Sequence, residues 1–219
     1  MGRAKMPRKS TSIDMTAMCD VAFLLLSFFI LATKPKPTEV VPVVTPSSVS
    51  TLTVENDDPN KVTVTISKEG KVFLTIDDPE KRKAVVKDLN TRLGLQLTDA
   101  DMAKLDKVDM FGTSLAALKS YVNLPAANRA ADKLSGIPAQ DSATSQMRDW
   151  MGAVSMAYYG GKINLLVKGD GTAKYPVVKV VIDAFKKSDL MKFSVITNKE
   201  GLGPETELYK EQKSKKKEG

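Results

Sequence analysis

Met15-Thr-Ala-Met-Cys-Asp-Val-Ala-Phe-Leu-Leu-Leu-Ser-Phe-Phe-Ile-Leu-Ala-Thr33 decides the architecture of this chain. These 19 residues carry one formal charge, on Asp20. As a helix they extend ~28 Å, close to the thickness of a bilayer's hydrocarbon core. The stretch therefore reads as a membrane anchor. A carboxylate near the bilayer centre costs about 2.5–3.5 kcal/mol on insertion scales. Such a residue is by default a proton or ion site.

Four cations precede the stretch (Arg3, Lys5, Arg8, Lys9), and Lys34 and Lys36 follow it. The bias predicts a cytoplasmic N-terminus and a large C-terminal part on the far side. Two other readings compete. A cleaved signal peptide needs a small-x-small site, and Leu31-Ala-Thr-Lys-Pro35 is a poor one. A lipoprotein needs its apolar run before the cysteine, whereas Cys19 comes before the run.

Each helical residue advances by about 100°, which puts Thr16, Asp20 and Ser27 within a sector of roughly 60°. Phe, Leu, Ile, Val and Ala make up the rest of the helix after Asp20. A polar stripe of this kind faces protein or water, not lipid. Thr16 and Ser27 could return their hydroxyls to their own backbone. Asp20 needs a proton or a partner. One span cannot enclose its own acid, so helices of other subunits are expected beside it. A carboxyl moving between dry and wet surroundings would release and take up a proton.

The net charge of +7 is uneven. It resides in the basic start and in the last ten residues, which hold five lysines and two glutamates, while Ser10–Tyr209 is neutral overall. That balance argues against nucleic-acid binding. With no histidine and one cysteine, His-based metal sites, Ser-His-Asp or Cys-His catalysis and an intrachain disulfide are all excluded. No cofactor site is expected, and the chain does not read as an enzyme. Gly169-Asp-Gly171 lacks the Lys-Ser/Thr of a phosphate loop.

Ile13-Asp-Met-Thr-Ala-Met-Cys-Asp-Val-Ala-Phe-Leu-Leu-Leu-Ser-Phe-Phe-Ile-Leu-Ala-Thr33 resembles the N-terminal signature of the ExbD/TolR family of biopolymer-transport proteins. Asp20 falls on the family's essential membrane aspartate and Thr16 on its threonine. Ala17 stands where the family usually has proline, a departure that leaves the acid in register. The resemblance implies a short cytoplasmic tail, one inner-membrane span, a flexible linker and a small periplasmic α/β domain. It also implies a homodimer whose spans sit inside a pentamer of ExbB/TolQ-like proteins. Such an assembly uses the proton-motive force to energise TonB or TolA. Asp20 would carry the proton, and Thr16 and Ser27 would line its path or orient it. A flagellar or gliding stator subunit is the nearest rival. A signal-anchored periplasmic binding protein, with Asp20 incidental, is a rival of another class.

The fold class expected is α+β. Residues 1–12 form the tail, 13–33 the span, 34–56 the linker, 57–200 the periplasmic domain and 201–219 a solvated basic end. Prolines at 35, 37, 42 and 46 keep the linker extended. Its Val, Ser and Thr residues leave the option of an added edge strand. Lys61–Ser67 and Val72–Ile76 alternate as a hairpin around Lys68-Glu-Gly-Lys71. Asp78-Pro79 starts a helix that Gly94 ends. Strands are expected over Lys162–Lys168 and Met191–Thr197. A helix is expected from Tyr175 to Lys187, with Val178, Val181, Ile182 and Phe185 on its inner side. Residues from about 98 to 160 read as a helical insertion. Its four helices would begin at Thr98 and span Ser114–Val122, Pro125–Leu134 and Asp141–Tyr159. Met147, Trp150, Met151, Val154 and Tyr158 would form an apolar face on the last, packed on the domain or, as the alternative, open to a docking partner.

Overall fold

The structure, a computed structural model, describes residues 15–32, 41–48, 58–139 and 145–199. The two tails, residues 13, 14 and 33 of the expected span, and the linker outside 41–48 lie beyond the described residues. The chain divides into two units, Met1–Thr38 and Glu39–Gly219.

In the first unit α1 runs from Met15 to Ala32 without a break. It buries none of its residues, with large side chains such as Phe23, Phe28 and Ile30 at least 60% exposed. Among the described residues it is the one helix long and apolar enough to cross a membrane.

The second unit opens with an extended strap, residues 41–48, that ends in the short strand β1 (Ser47–Ser48). Strands β2 (Lys61–Ile66) and β3 (Val72–Ile76) form the expected antiparallel hairpin. Gly70 supplies the left-handed turn residue at φ 78°. Helix α2 (Pro79–Leu93) starts as its sequence dictates. The Asp78 carboxylate accepts the Glu80 and Lys81 amides, and Pro79 takes the first turn. Gly94 ends it in the left-handed conformation.

Next comes α3 (Asp99–Lys104), held by a capping box between Thr98 and Asp101. A 3-10 turn at Leu115–Ala117 leads into α4 (Leu118–Val122). The helix expected over Pro125–Leu134 does not form. Two 3-10 turns, Ala126–Asn128 and Ala131–Lys133, replace it, with Ala130 extended between them. Arg129 explains the break. Its guanidinium donates to the carbonyls of Lys107 (2.6 Å) and Val122 (3.0 Å), pinning the chain at mid-segment.

Helix α5 covers Met147–Ala157, shorter than the expected Asp141–Tyr159, of which 141–144 lie outside the described residues. Met147, Trp150, Met151, Val154 and Tyr158 are all buried, so the apolar face packs on its own domain. Strand β4 (Asn164–Gly169), helix α6 (Tyr175–Lys187), strand β5 (Phe193–Ile196) and strand β6 (Asn198–Lys199) complete the order. On α6 the buried row is Val177, Val180, Val181, Ala184 and Phe185. Val178, expected inside, is half-buried at its margin, and Ile182, also expected inside, is half-buried but turned toward the outward side. The helix is rotated because Val177 packs beside the β2–β3 turn, where a Cβ on Gly70 would stand 3.3 Å from Val177 Cγ2.

The main sheet has the order β3-β2-β4-β5, antiparallel at β2–β3 and parallel elsewhere. Register places Val62, Leu165 and Ile76 in one row, and Val64, Val167 and Leu74 in the next. These side chains share one face and one core with Val85, Val86 and Leu89 of α2, Trp150 and Val154 of α5, and Val181 and Phe185 of α6. Phe73 points to the opposite face and is still 1% exposed. Gly112 lies so near it that an added Cβ would come within 2.4 Å of Phe73 Cδ1. The outer edge of β3 is bridged by Phe111, opposite Leu74, and by Ile137, opposite Val72.

Candidate functional site

The polar stripe of α1 is built entirely from sequence spacing. Thr16 and Asp20 are one turn apart, and Ser27 lies two turns further on. An unbroken helix over Met15–Ala32 keeps all three on one side. Asp20 is exposed on the surface of its own chain, as are the apolar side chains around it. The helix thus carries a carboxylate and two hydroxyls on one side, and none of its described residues is buried. Ser27 donates its hydroxyl to the Leu24 carbonyl at 3.0 Å. That bond commits its proton to the backbone and leaves its oxygen as the part that can accept.

Among the described residues, no three His, Cys, Asp or Glu side chains converge as a metal site. The carboxyl of the stripe can exchange a proton.

A model of the biopolymer transport protein ExbD/TolR family matches residues 6–200. The chain belongs to the ExbD/TolR family. No curated protein and no solved structure matches it. Family membership together with the single apolar helix makes this a membrane-associated member of a biopolymer-transport family, whose proteins couple energy to transport and are not enzymes. Proteins of the ExbD/TolR family generally work with ExbB/TolQ and TonB/TolA partners. The match runs through α1 and through the whole described domain, so the acid-bearing helix and the α/β domain fall within one family unit.

A second group of residues escaped sequence reasoning. The strap lies against the loop after β4 and against β6. The Asp170 carboxylate accepts the Val44 amide at 3.2 Å, and the Gly171 amide donates to the Val44 carbonyl at 2.9 Å. Asn198 donates twice, through its amide to Pro46 O at 2.9 Å and through Nδ2 to Thr45 O at 3.0 Å. Val41 and Thr45 of the strap are buried. The bonds that Asp170 accepts from the Thr172 hydroxyl and amide and from Val44, with nearby Lys68, hold its carboxyl below the usual range. The sequence carried one signal: the Val-Val-Pro-Val-Val-Thr-Pro run is extended and half apolar, the composition of a segment able to lie along a surface. Its docking partner, the loop read as Gly169 to Thr172, gave no comparable sign.

Proposed function

We propose that this ExbD/TolR-family chain is the proton-motive-force-coupled motor subunit of an inner-membrane complex of the ExbB–ExbD type. It energises TonB-dependent transport across the outer membrane. The observation that carries the reading is Asp20, exposed on the polar stripe of an apolar helix none of whose described residues is buried. An intramembrane acid must face protein or water. The partners are therefore helices of an ExbB/TolQ-like multi-span protein, a pentamer, and the span of a second copy.

Asp20 carries the proton. Thr16 and Ser27 line its path, with Ser27 acting through its acceptor lone pairs. One charge crossing 100 mV is worth about 2.3 kcal/mol, enough per proton to move an attached domain. The excess of cations before the span puts the N-terminus in the cytoplasm and the α/β domain in the periplasm. There the domain passes movement to a TonB- or TolA-like protein.

Replacement of Asp20 by Asn tests this. The amide keeps the size and removes the acid. Uptake through an outer-membrane receptor should fall to background while protein level and copurification with the multi-span partner stay normal. Unchanged uptake with a loss of envelope integrity instead would assign the chain to the Tol system. If neither changes, Asp20 is not the coupling site.

A further inference from the structure

The neutral balance of the chain between its two basic ends conceals a partition. Residues 58–139 hold thirteen Lys and Arg against eleven Asp and Glu, whereas residues 162–199 hold eight lysines against three aspartates. Three of these five excess charges (four lysines against Asp183) lie on Lys174 and the helix that it precedes, α6. Its outward face is opposite the buried row, and Tyr175, Lys179, Ile182 and Lys186 fall there within a sector of about 60°. Tyr175 is 75% exposed, Lys179 and Lys186 are exposed, and Ile182 is half-buried. Lys174 precedes the helix and Lys187 flanks its end, both also exposed. The acid on α6 itself is Asp183, on the flank of this face and half-buried. None of the salt bridges among the described residues uses a lysine of α6.

We propose that the outward face of α6 docks on the anionic headgroups of a bilayer. An aromatic ring, an aliphatic side chain and a row of ammonium groups on one helix side is the composition that settles at a membrane interface. Lysine stems lie along the surface while their charges meet phosphate. An acidic peptide would match the charge but would make no use of Tyr175 and Ile182, about two turns apart on the same side.

Tethering strengthens the case. Eight residues, 33–40, join the end of α1 to the strap, a covalent reach of ~30 Å. The strap is bonded to the Asp170–Gly171 loop, which leads within three residues to Lys174 and the start of α6. A short tether gives a weak surface contact a high effective concentration. The proposal rests on membrane anchoring alone, not on the proton role of Asp20.

The full chain, with its multi-span partner, is reconstituted in bilayers with headgroup-bound quencher. A fluorophore is placed at Asp183→Cys in a Cys19→Ser background, and a comparison fluorophore at Ala116→Cys, an exposed site on the 3-10 turn before α4. In bilayers with about one-third anionic lipid the Asp183 position is quenched at least twofold more than in zwitterionic bilayers, and the difference vanishes at about 1 M salt. Lys179→Glu with Lys186→Glu abolishes the difference, while circular dichroism shows the fold retained. Asp20→Asn leaves it intact, so failure of the motor reading and failure of this one are separable. Equal quenching in both lipids, equal quenching at Ala116, or indifference to the paired charge reversal would overturn the proposal. So would binding of an acidic peptide to the lysine face with no lipid dependence.

Discussion

Gly112 shows how one missing side chain can hold a layer in place. The space a Cβ would need is occupied by the Phe73 ring. Gly112→Ala should destabilise the full chain by about 1–3 kcal/mol, the usual range for overpacking a filled core. Adding Phe73→Leu should recover part of that loss, and chemical denaturation in detergent solution measures both. Asp101 is a second such residue. Its carboxylate accepts from the Thr98 amide and hydroxyl and from Asn123 Nδ2, at 3.0, 2.9 and 2.9 Å. Although the residue is buried, these bonds hold its pKa down to about 2. A lowered folded pKa means stability that is present above the unfolded value of about 3.9 and lost as pH falls through 2. Acid unfolding of Thr98→Ala should begin at higher pH than that of the native chain. At neutral pH the lost cap should cost about 1 kcal/mol. Asp20 was legible at this scale as a charge in an apolar run, and its proton role is the proposal made above. Gly112 was not, since no local pattern marks a glycine whose partner lies thirty-nine positions earlier in the chain.

Elements with their own start and stop chemistry were readable in advance. Helix α2 was marked by Asp78, Pro79 and Gly94, α3 by Thr98, and α5 by the spacing of its buried residues. The segment 125–134 failed because its conformation is set by Arg129 reaching carbonyls at Lys107 and Val122, a tertiary cause. The strap combines both cases. Prolines keep it extended, yet its position depends on Asp170 and Asn198, more than a hundred residues away. Asp170→Asn should weaken its hold, since a neutral amide oxygen is a poorer acceptor than a carboxylate. Hydrogen exchange at Val44 and Gly171 should then speed up, with little change at amides of β2. Because the Asp170 pKa is lowered, the native contact persists at neutral pH and fades as pH drops through that lowered value. Exchange in Asp170→Asn should lack this acid dependence.

At the scale of the molecule, the division into a span and an α/β domain followed from hydropathy and alternation alone. The charge partition did not, because a total conceals which strand or helix holds each lysine. The sheet has a further consequence. Phe111 and Ile137 occupy the outer side of β3, so among the described residues the outer side of β5 is the one long margin with no strand beside it. A sheet open on both margins can recruit copies without end, and such growth is how strands become fibrils. Here one margin is already closed by the chain's own loops. Two molecules meeting at β5 would exhaust each other's free margin, and recruitment would stop at the pair.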